Sequence, residues 1–341
     1  MKKYPLVSII IANWNGGKIW DNCLKSLSKI KYPNWELIVV DNNSTDGSGD
    51  YSQDLKYKIK KTKLIKNKEN LGFAPANNQG YEVSRGKYVL LLNNDTLVDS
   101  SLLNVLVNKM EKDLSVGVIQ PKIKMMDNPS YLDNAGSFMT RTGFLQHWGF
   151  GEKDSKQFNK EKEVFSAKGA CMFIRRKIIQ KVGLFDPVFM SYMEDSDFCW
   201  KTWLIGYKVI YYPETYILHK VGMSSKRMNQ IAINYHSFKN RIRSLVKNLN
   251  FFNLFILLVP HIVILIFIGC YYLFKFQFQK ANMIFRAIIW NIIHLPSTLK
   301  ERKKIQALRK QSDSQIFKMG MKRMSFKEMF SHFRKVESNY K

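Results

Sequence analysis

Apolar and polar residues alternate along the first 110 residues in a rhythm that predicts strands and helices in turn. Short apolar runs predict four buried strands, at residues 6–12, 36–41, 63–66 and 87–92. Apolar residues at helical spacing predict two helices between them, at residues 18–30 and 74–84. This order predicts an α/β fold whose central sheet is mostly parallel, with right-handed crossovers.

The regular patterns become weaker in the middle of the chain. Glycine, asparagine and aromatic residues are mixed from residue 115 to 163, which predicts loops and short antiparallel strands. The later patterns predict a strand at 165–176, helices at 177–182 and 195–205, and a closing strand at 208–212. We therefore place one folded unit at residues 1–225, and we expect no signal peptide, because the apolar run 6–12 is too short for one.

Residues 226–299 are predicted to associate with a membrane. A basic amphipathic helix is predicted at 231–250, and residues 251–274 are almost wholly apolar. The 21 residues from Leu254 to Phe274 would extend about 30 Å as a helix, which is enough to cross a bilayer core. A buried helix in a soluble protein is the alternative, but Tyr271, Tyr272 and Lys275 at the far end favour a membrane.

The topology of these apolar segments stays open. A second apolar stretch, residues 283–295, is too short to span a bilayer comfortably and contains Arg286. A single crossing would separate two basic regions that tend to stay together on the cytoplasmic side. A hairpin, a re-entrant helix kinked at Pro260, or a pair of interfacial helices would keep them on one side.

The charge of the chain is strongly positive and uneven. The formal net charge is +27, so an anionic membrane surface is an expected neighbour. Residues 300–341 hold thirteen Lys or Arg against four acidic residues, which predicts a basic tail along lipid head groups. The chain has no helix-turn-helix, RNP or zinc-finger pattern, so no nucleic-acid partner is expected. The four scattered cysteines fit neither a zinc ribbon nor a disulfide framework, and they suit a reducing compartment.

The apolar run 88–92 ends in Asn93, Asn94 and Asp95, and this is the most informative motif of the chain. A carboxylate at the carboxyl end of a strand in an α/β sheet lies in the crevice where ligands bind. Burying it without a partner would cost several kcal/mol at least, and a divalent cation on a diphosphate would be a suitable partner. The alternative interpretation of Asp95 is a helix cap before Leu97.

Asp41 ends another β-branched run and is followed by a turn rich in Asn, Ser and Gly. Its carboxylate could accept from the N–H of a uracil or thymine ring, or from ribose hydroxyls. Alternatively, Asp41 and Asn42 form an Asx turn or cap the following helix.

Read in order, these motifs resemble family 2 glycosyltransferases, in particular the rhamnosyltransferase-like bacterial enzymes of surface polysaccharide assembly. The matching segments lie at residues 7–15, 40–47, 70–78, 92–95, 169–172, 183–186, 192–197 and 206–207. The resemblance reaches His219 and covers residues 5–225. It implies a GT-A fold, in which a Rossmann-like sheet with a small antiparallel acceptor-side part binds a nucleotide-sugar and a divalent cation.

The resemblance also implies roles on the donor side. The family's metal motif often reads Asp-x-Asp, so Asp95 alone would supply charge to Mg²⁺ or Mn²⁺, together with diphosphate oxygens and water. His219 matches a histidine that approaches the metal or diphosphate in the family, and a structural histidine is the alternative. A dTDP- or UDP-sugar is the expected donor. The implied nucleotide-sugar-binding positions are Asn13, Asn15, Asp41, Asn43, Asn70, Gly72, Asn77 and Asn94.

Glu194 and Asp195 match the family position that supplies the catalytic base. An acceptor hydroxyl must lose its proton as it attacks the anomeric carbon, and direct displacement inverts that carbon. We assign Asp195 as the base and Glu194 as a supporting acceptor-side group, with Asp197 as the rival. A solvated acidic helix N-terminus is the alternative interpretation. Phosphate-facing or solvated positions both stay open for Lys168, Arg175 and Arg176.

The expected activity is transfer of one sugar to a lipid-linked glycan at the cytoplasmic face of the inner membrane. The acidic motif is followed by no Gln-x-x-Arg-Trp segment, which argues against a processive synthase of the cellulose or hyaluronan type. One alternative is an enzyme of the same fold that glycosylates polyprenyl phosphate. Another is a basic membrane- or nucleic-acid-binding module without catalysis.

Overall fold

A ten-stranded sheet forms the centre of the computed structural model, which describes residues 4–49, 59, 61–222 and 229–321. Its first half is parallel and has the order β3-β2-β1-β4. The strands are β1 (Val7–Asn13), β2 (Trp35–Asp41), β3 (Thr62–Lys66) and β4 (Tyr88–Leu92). Helices α1 (Gly17–Leu27) and α2 (Phe73–Val83) connect them, so the predicted alternation of strands and helices is confirmed.

The second half of the sheet is mixed. Its strands are β5 (Thr96–Val98), β6 (Val116–Met125), β7 (Leu132–Asn134), β10 (Lys162–Glu163), β11 (Cys171–Arg175) and β12 (Lys208–His219). Strand β11 is antiparallel to both β4 and β6, whereas β12 is parallel to β6. Strands β8 (Ser137–Met139) and β9 (Leu145–His147) form a separate hairpin, and Lys156–Phe158 is a short 3₁₀ helix. The predicted mostly parallel sheet with an antiparallel part is confirmed.

The prediction of loops and short strands from residue 115 missed β6, a ten-residue strand inside the sheet. Its sequence is interrupted by a glycine, a proline and two lysines, which are rare in strand interiors. Specific contacts in the fold explain two of these residues. Gly117 packs closely against Ile178, and the buried Lys122 forms an ion pair with Asp154. The predicted strand 165–176 is shorter than expected, and the one at 208–212 is longer.

Helices cover both faces of the sheet. Helices α1 and α3 (Leu102–Lys112) pack on one face, while α2, α4 (Arg176–Val182) and α5 (Glu194–Leu204) pack on the other. In β1, Ile9 and Ile11 contact the first layer and Ile10 contacts the second. Burial on both sides explains why these strands are continuous apolar runs rather than alternating patterns.

Five helices follow the sheet domain within the described residues: α6 (Gln230–Asn248), α7 (Phe251–Phe274), α8 (Phe278–Ile293), α9 (Leu295–Ala307) and α10 (Asp313–Gly320). Helix α6 packs against α5, α8 and α9, and α7 packs along α8. Helix α7 contains Pro260 and is long and apolar enough to cross a membrane, judged by length and composition only. Most of its surface is exposed.

The first part of the predicted basic tail packs on the protein, whereas we expected the tail to lie along lipid head groups. Up to Met321 it folds back onto the sheet domain as α9 and α10, where Ile305 and Ile316 join the main apolar core. Arg309 donates to Asp313 at 2.7 Å and fixes the two helices to each other. The remainder of the predicted tail, residues 322–341, lies outside the described residues.

Candidate active site

The residues that end or follow three parallel strands meet at one edge of the sheet. Asn94, two residues after β4, donates to the side-chain oxygen of Asn13 at 2.8 Å. Asn13, at the end of β1, donates in turn to Asp41 Oδ1 at 3.0 Å, at the end of β2. The carboxyl ends of parallel strands share an edge, which is where ligands bind in α/β sheets. The structure therefore brings the predicted positions Asn13, Asp41 and Asn94 together in one buried chain of hydrogen bonds.

Asp41 shapes the turn that follows β2. Its carboxylate accepts from the backbone N–H of Ser44 at 3.0 Å and from the Ser44 hydroxyl at 2.6 Å, and both bonds hold the turn in place. Asn15 and Asn43 have φ values of 50° and 62°, in the left-handed region that asparagine tolerates best after glycine. Asn15 Oδ1 also accepts from the backbone N–H of Thr45 at 2.7 Å, which joins this turn to the end of β1.

The segment before α2 makes a close contact with the loop before α5. Gly72 has a φ of 91°, and a Cβ there would lie 2.4 Å from the carbonyl oxygen of Met190, so only glycine fits. Asn70 accepts from the backbone N–H of Gly72 at 2.9 Å and holds this conformation. Asn77 donates to the carbonyl of Phe73, while its buried Oδ1 has no hydrogen-bond partner among the described residues. Gly72 and Asn70 therefore hold the segment before α2 against the loop before α5.

His219 lies beside Asp95 because β12 and β5 are antiparallel and pair His219 with Thr96. The Nε2 of His219 is 3.2 Å from Asp95 Oδ1, and its Nδ1 is 2.9 Å from Asp133 Oδ2. Lys168 donates to the same Asp133 at 2.6 Å. Asp95 is not a helix cap, because the residues after it form β5 and the next helix begins at Leu102.

The alternating charges of Asp95, His219, Asp133 and Lys168 determine which of these side chains are protonated. Burial alone would lower the pKa of His219, but the carboxylates of Asp95 and Asp133 outweigh burial and raise this pKa to about 9. Burial opposes ionisation of Asp133 as well, yet Lys168 and His219 hold its pKa well below the usual range. His219 is therefore protonated at neutral pH in this arrangement, and coordinating a metal through Nε2 would release a proton.

The donor atoms at Asp95 fit a hard divalent cation. Asp95 is buried, and among the described residues its Oδ1 lies 3.2 Å from His219 Nε2 but has no hydrogen-bond partner. Across the described part of the chain, no three His, Cys, Asp or Glu side chains are grouped to hold a metal ion. A single carboxylate with one imidazole suits Mg²⁺ or Mn²⁺ when diphosphate oxygens and water complete the coordination.

Glu194 and Asp195, here called the acidic pair, occupy the first turn of α5. The two residues before them, Tyr192 and Met193, both have φ near 70°, a left-handed conformation that is rare for such side chains. Asp195 accepts from the backbone N–H of Gly169 at 2.8 Å and from that of Ser196 at 2.6 Å. Glu194 is buried, and its Oε2 has no hydrogen-bond partner among the described residues.

Burial raises the pKa of both carboxyl groups in the acidic pair. For Glu194 the negative charge of Asp195 adds to the effect, and its pKa lies well above the usual value. Because Asp195 is held by N–H donors and Glu194 Oε2 is not, Asp195 carries the negative charge more readily. A solvated helix terminus does not describe this site, since Glu194 is only 6% exposed. Buried, perturbed carboxyl groups of this kind are typical of functional sites.

Asp197 has a different environment. Lys247 donates to its Oδ2 at 2.9 Å, and Asn248 donates to its Oδ1 at 2.8 Å. The same Lys247 contacts Asp186 at 2.6 Å, which also accepts from Arg243 at 2.9 Å. These four charged residues (Asp186, Asp197, Arg243 and Lys247), here called the ionic cluster, are all buried and join α5 to α6. With both oxygens engaged, Asp197 is a structural residue and a poor rival to Asp195.

One three-residue segment, 168–170, connects the donor side to the acidic pair. The carbonyl of Ala170 accepts from the backbone N–H of Asn93 at 3.0 Å, and the N–H of Gly169 holds Asp195. The side chain of Lys168, for which phosphate-facing and solvated positions were both open, donates to Asp133. Asn93, two residues before Asp95, and Asp195 therefore both contact this segment.

Arg175 and Arg176 are excluded as phosphate ligands at this edge. Since β11 is antiparallel to β4, Arg175 pairs with Tyr88 at the opposite end of that strand from Asp95. The guanidinium of Arg175 is buried and donates to the carbonyls of Met110 and Val116. Asp133 is the site residue that the sequence did not indicate, because it lies in the segment without a readable pattern.

Comparison with known sequences agrees with this geometry. Residues 8–183, more than half of the chain, match the family model described as glycosyl transferase family 2. Glycosyltransferase GlyG of Streptococcus pneumoniae is 30% identical over 112 residues, or 33% of this chain and 37% of that protein. Poly-beta-1,6-N-acetyl-D-glucosamine synthase of Staphylococcus aureus is 24% identical over 212 residues, or 61% and 48%. The matches thus span about a third to a half of these relatives' length.

Solved structures of glycosyltransferases have the same fold. GalNAc-T7 with UDP, GalNAc and Mn²⁺ aligns with a TM-score of 0.57 at 18% identity, over 72% of this chain and 48% of that chain. TarS 1–349 of S. aureus with UDP-GlcNAc aligns at 0.56 and 14% identity, over 89% and 90%. Mannosyltransferase PcManGT of Pyrobaculum calidifontis with GDP-Man and Mn²⁺ aligns at 0.53 and 15%, over 90% and 86%. The chain therefore belongs to glycosyl transferase family 2, with a GT-A fold.

Proposed function

We propose that this protein transfers one sugar, with inversion, from a nucleoside-diphosphate sugar to a hydroxyl of a lipid-linked glycan. The observation that carries the proposal is segment 168–170, which contacts Asp195 through Gly169 and Asn93, two residues before Asp95, through Ala170. This arrangement provides one carboxylate for the donor diphosphate and another for the acceptor hydroxyl. Single transfer is the expected mode because the chain has no Gln-x-x-Arg-Trp segment after the acidic motif.

The nucleotide is proposed to bind along the carboxyl ends of β1, β2 and β4. Polar groups there already form a connected buried network, and Asn77 adds a buried oxygen without a partner among the described residues. A dTDP- or UDP-sugar is the proposed donor, with a hexose or deoxyhexose, and the rhamnosyltransferase-like order of motifs supports a deoxyhexose. The proposed nucleotide-sugar-binding positions are Asn13, Asn15, Asp41, Asn43, Asn70, Gly72, Asn77 and Asn94.

Asp95 and His219 are the residues that would hold a divalent cation, Mg²⁺ or Mn²⁺. Such a cation supplies positive charge to the departing diphosphate. Asp133 would fix the orientation of His219 through Nδ1, as carboxylates commonly do for metal-binding histidines. The Mn²⁺ named for two of the compared structures supports a divalent cation here.

Asp195 is proposed to take the proton of the acceptor hydroxyl as the oxygen attacks the anomeric carbon. The backbone N–H groups of Gly169 and Ser196 hold the carboxylate in a fixed orientation, which lowers the entropy lost in the reaction. Its raised pKa makes it a stronger base while it stays ionised. Glu194, adjacent and buried, is proposed to support the acceptor side.

The proposed place of this reaction is the cytoplasmic face of the inner membrane. The net charge of +27 and the exposed apolar surface of α7 support an acceptor that is anchored in a lipid layer. Nucleotide-sugars are charged and water-soluble, so the donor would reach the sheet domain from solution. The lipid-linked acceptor would reach the same protein from the membrane.

The donor half of the proposal is tested by thermal unfolding with UDP-, dTDP- and GDP-sugars, each with Mn²⁺, Mg²⁺ or chelator. We expect one nucleotide series to raise the melting temperature, with a larger rise when the cation is present, because a ligand that binds only the folded state stabilises it. No stabilisation by any nucleotide under any of these conditions would contradict the proposal.

A further inference from the structure

Helix α7 is attached to the protein by one narrow stripe. Leu257, His261, Leu265 and Gly269, spaced four residues apart, are its buried positions. The rest of the helix is exposed or half-buried, and it is strongly apolar. Six large residues lie on the outward side, and we call them the α7 face: Phe255, Ile256, Val259, Val263, Ile266 and Phe267. An exposed apolar surface of this extent marks a binding surface rather than ordinary protein exterior.

The stripe holds α7 along its whole length. At its start, Asp313 of α10 accepts from the backbone N–H of Asn250 at 2.8 Å and from the side chain of Asn253 at 3.1 Å. Toward its end, Leu265 packs with Ile284 of α8, and Gly269 lies so close to Phe285 that a Cβ would be 2.8 Å from the ring. Helix α7 therefore lies flat on the protein instead of leaving it.

The middle of α7 contacts the turn between β8 and β9. His261 Nδ1 lies 2.7 Å from the carbonyl oxygen of Thr142, and its ring lies 4.6 Å from that of Phe144. If α7 crossed a bilayer, its middle would lie at the centre of the hydrocarbon, and this irregular turn with the exposed Arg141 would be carried there. Irregular backbone is not found exposed to lipid at that depth, and a charged side chain there is costly. The contact between His261 and this turn therefore excludes a membrane-spanning orientation of α7.

The charges around the face identify its partner as lipid. Apolar exposure continues on α8 and α9 through Ile289, Ile292 and Leu299, and basic residues lie at both ends. Lys275 follows α7, while Lys300 and Lys303 lie on α9. A second copy of the chain would bring equal positive charges together, which opposes association, whereas anionic head groups attract them. Apolar outward residues between basic ends are typical of helices that lie in a membrane interface.

We propose that α7 and α8 lie in the plane of the membrane interface, with the α7 face toward the acyl chains, and that α7 does not span the bilayer. Helix α6 packs against both α7 and α8 and is joined to α5 by the ionic cluster. The acidic pair at the start of α5 is therefore one helix layer away from the lipid surface. The inference rests on the proposed function for one point, that a lipid-linked acceptor would reach the site from this surface.

A depth measurement tests this orientation directly. Cys270 is exposed on α7, and Cys23, Cys171 and Cys199 are buried, so a fluorophore on Cys270 reports this helix alone. Two further positions on the α7 face are labelled in Phe255→Cys/Cys270→Ser and Val263→Cys/Cys270→Ser proteins. Each full-length protein is bound to phosphatidylcholine–phosphatidylglycerol vesicles whose lipids carry bromine at different depths.

We expect all three labels to be quenched most by shallow bromines, because the helix lies parallel to the surface. A crossing helix would give a different pattern. The label at position 263 would be quenched most by the deepest bromines and the other two labels by shallow bromines, and this result would overturn the proposal. The absence of quenching at all three positions would overturn it as well.

A second test removes the apolar contact while leaving the fold intact. In Phe255→Asp/Val263→Asp protein, we expect affinity for the same vesicles to fall about tenfold or more, since two apolar side chains lose their burial in lipid. The matched control is Leu114→Asp, which changes an exposed apolar residue on the sheet domain and should leave vesicle binding unchanged. Light scattering that showed the unmodified protein as a dimer and the double variant as a monomer, with equal vesicle binding, would overturn the proposal.

Nucleotide binding separates this inference from the proposed function. The α7 face is exposed on the outward side of its helix, whereas Asp95 and Glu194 are buried, so the α7-face variant should keep full thermal stabilisation by nucleotide. If the protein bound no nucleotide but the labels showed a helix parallel to the surface, the proposed function would be wrong and the orientation would stand. If nucleotide bound normally but the labels showed a crossing helix, only the interfacial orientation would be wrong.

Discussion

The acidic pair and Asp197 of the ionic cluster share the first turn of one helix, yet their carboxylates have opposite environments. Asp197 and Asp186 are each bound by buried cations, and the pKa of Asp186 is held well below its usual range, since Lys247 and Arg243 outweigh burial. For Glu194 and Asp195, burial is the largest effect and raises both pKa values. A fold tolerates destabilised charges mainly where they serve a function, so the contrast separates structural from functional carboxylates.

The largest expected effect is on the functional side of this comparison. In Asp195→Asn protein, kcat for transfer to a hydroxyl acceptor should fall about 10²- to 10⁴-fold, because the general base is lost. The melting temperature and donor binding should stay close to those of the unmodified protein. A steady-state transfer assay with purified acceptor measures kcat. Activity that remained largely intact would favour an acceptor that is already an anion, such as polyprenyl phosphate, and would remove the base from the mechanism.

On the structural side the effect should be on stability. Lys247→Met removes the positive charge that neutralises the buried carboxylates of Asp197 and Asp186. Breaking a buried ion pair in this way lowers the free energy of unfolding by about 3–5 kcal/mol. Urea unfolding followed by circular dichroism measures this. The matched control is Lys304→Met, whose partner Glu301 is on the surface and whose loss should cost about 0–1 kcal/mol. Equal effects of the two substitutions would remove the distinction between the cluster and an ordinary surface pair.

The pH dependence should differ between the two regions. Transfer needs ionised Asp195, whose pKa is raised by burial, so kcat/KM should decrease about tenfold per pH unit below that raised value. Asp186 has a lowered pKa, so its contribution to stability is present above the unfolded value of about 3.9 and is lost only at lower pH. We therefore expect activity to be lost in mildly acidic buffer before the melting temperature changes. A parallel decline of both quantities would contradict separate roles.

The smallest effect is expected at Asn93. Its backbone N–H holds Ala170 and would remain, while its buried side-chain oxygen has no hydrogen-bond partner among the described residues. Replacing it with alanine should reduce kcat/KM less than about tenfold, a difference of under 1.4 kcal/mol. The steady-state assay with saturating cation checks this, and a loss as large as that for Asp195→Asn would show that Asn93 contacts the donor directly.

Local patterns in the sequence predicted the parallel half of the fold and much of the donor edge. The runs that became β1, β2 and β4 are buried on both faces, and such runs are readable because no alternation is required. The carboxylates that follow them are then placed by strand direction alone. The position of His219 on the metal side was implied by the family resemblance, and the pairing of β12 with β5 explains why His219 lies beside Asp95.

Contacts between distant segments explain what could not be predicted. The direction of β11 turned Arg175 away from the candidate site, and no local pattern encodes an antiparallel insertion in a parallel sheet. Asp133 was missed because its strand is three residues long and lies among glycines and polar residues. The difference between Asp195 and Asp197 depends on Lys247, fifty positions further along the chain than Asp197.

The central claim is that Asp95 holds the donor diphosphate through a divalent cation while the acidic pair acts on the acceptor. Titration calorimetry of the preferred nucleotide-sugar, with and without Mn²⁺, tests it in Asp95→Ala and Asp195→Asn proteins. Glu214→Ala, an exposed carboxylate on β12, is the matched control. We expect Asp95→Ala to lose cation-dependent binding, while Asp195→Asn and the control retain it. Cation-dependent binding that persists in Asp95→Ala protein would contradict the account.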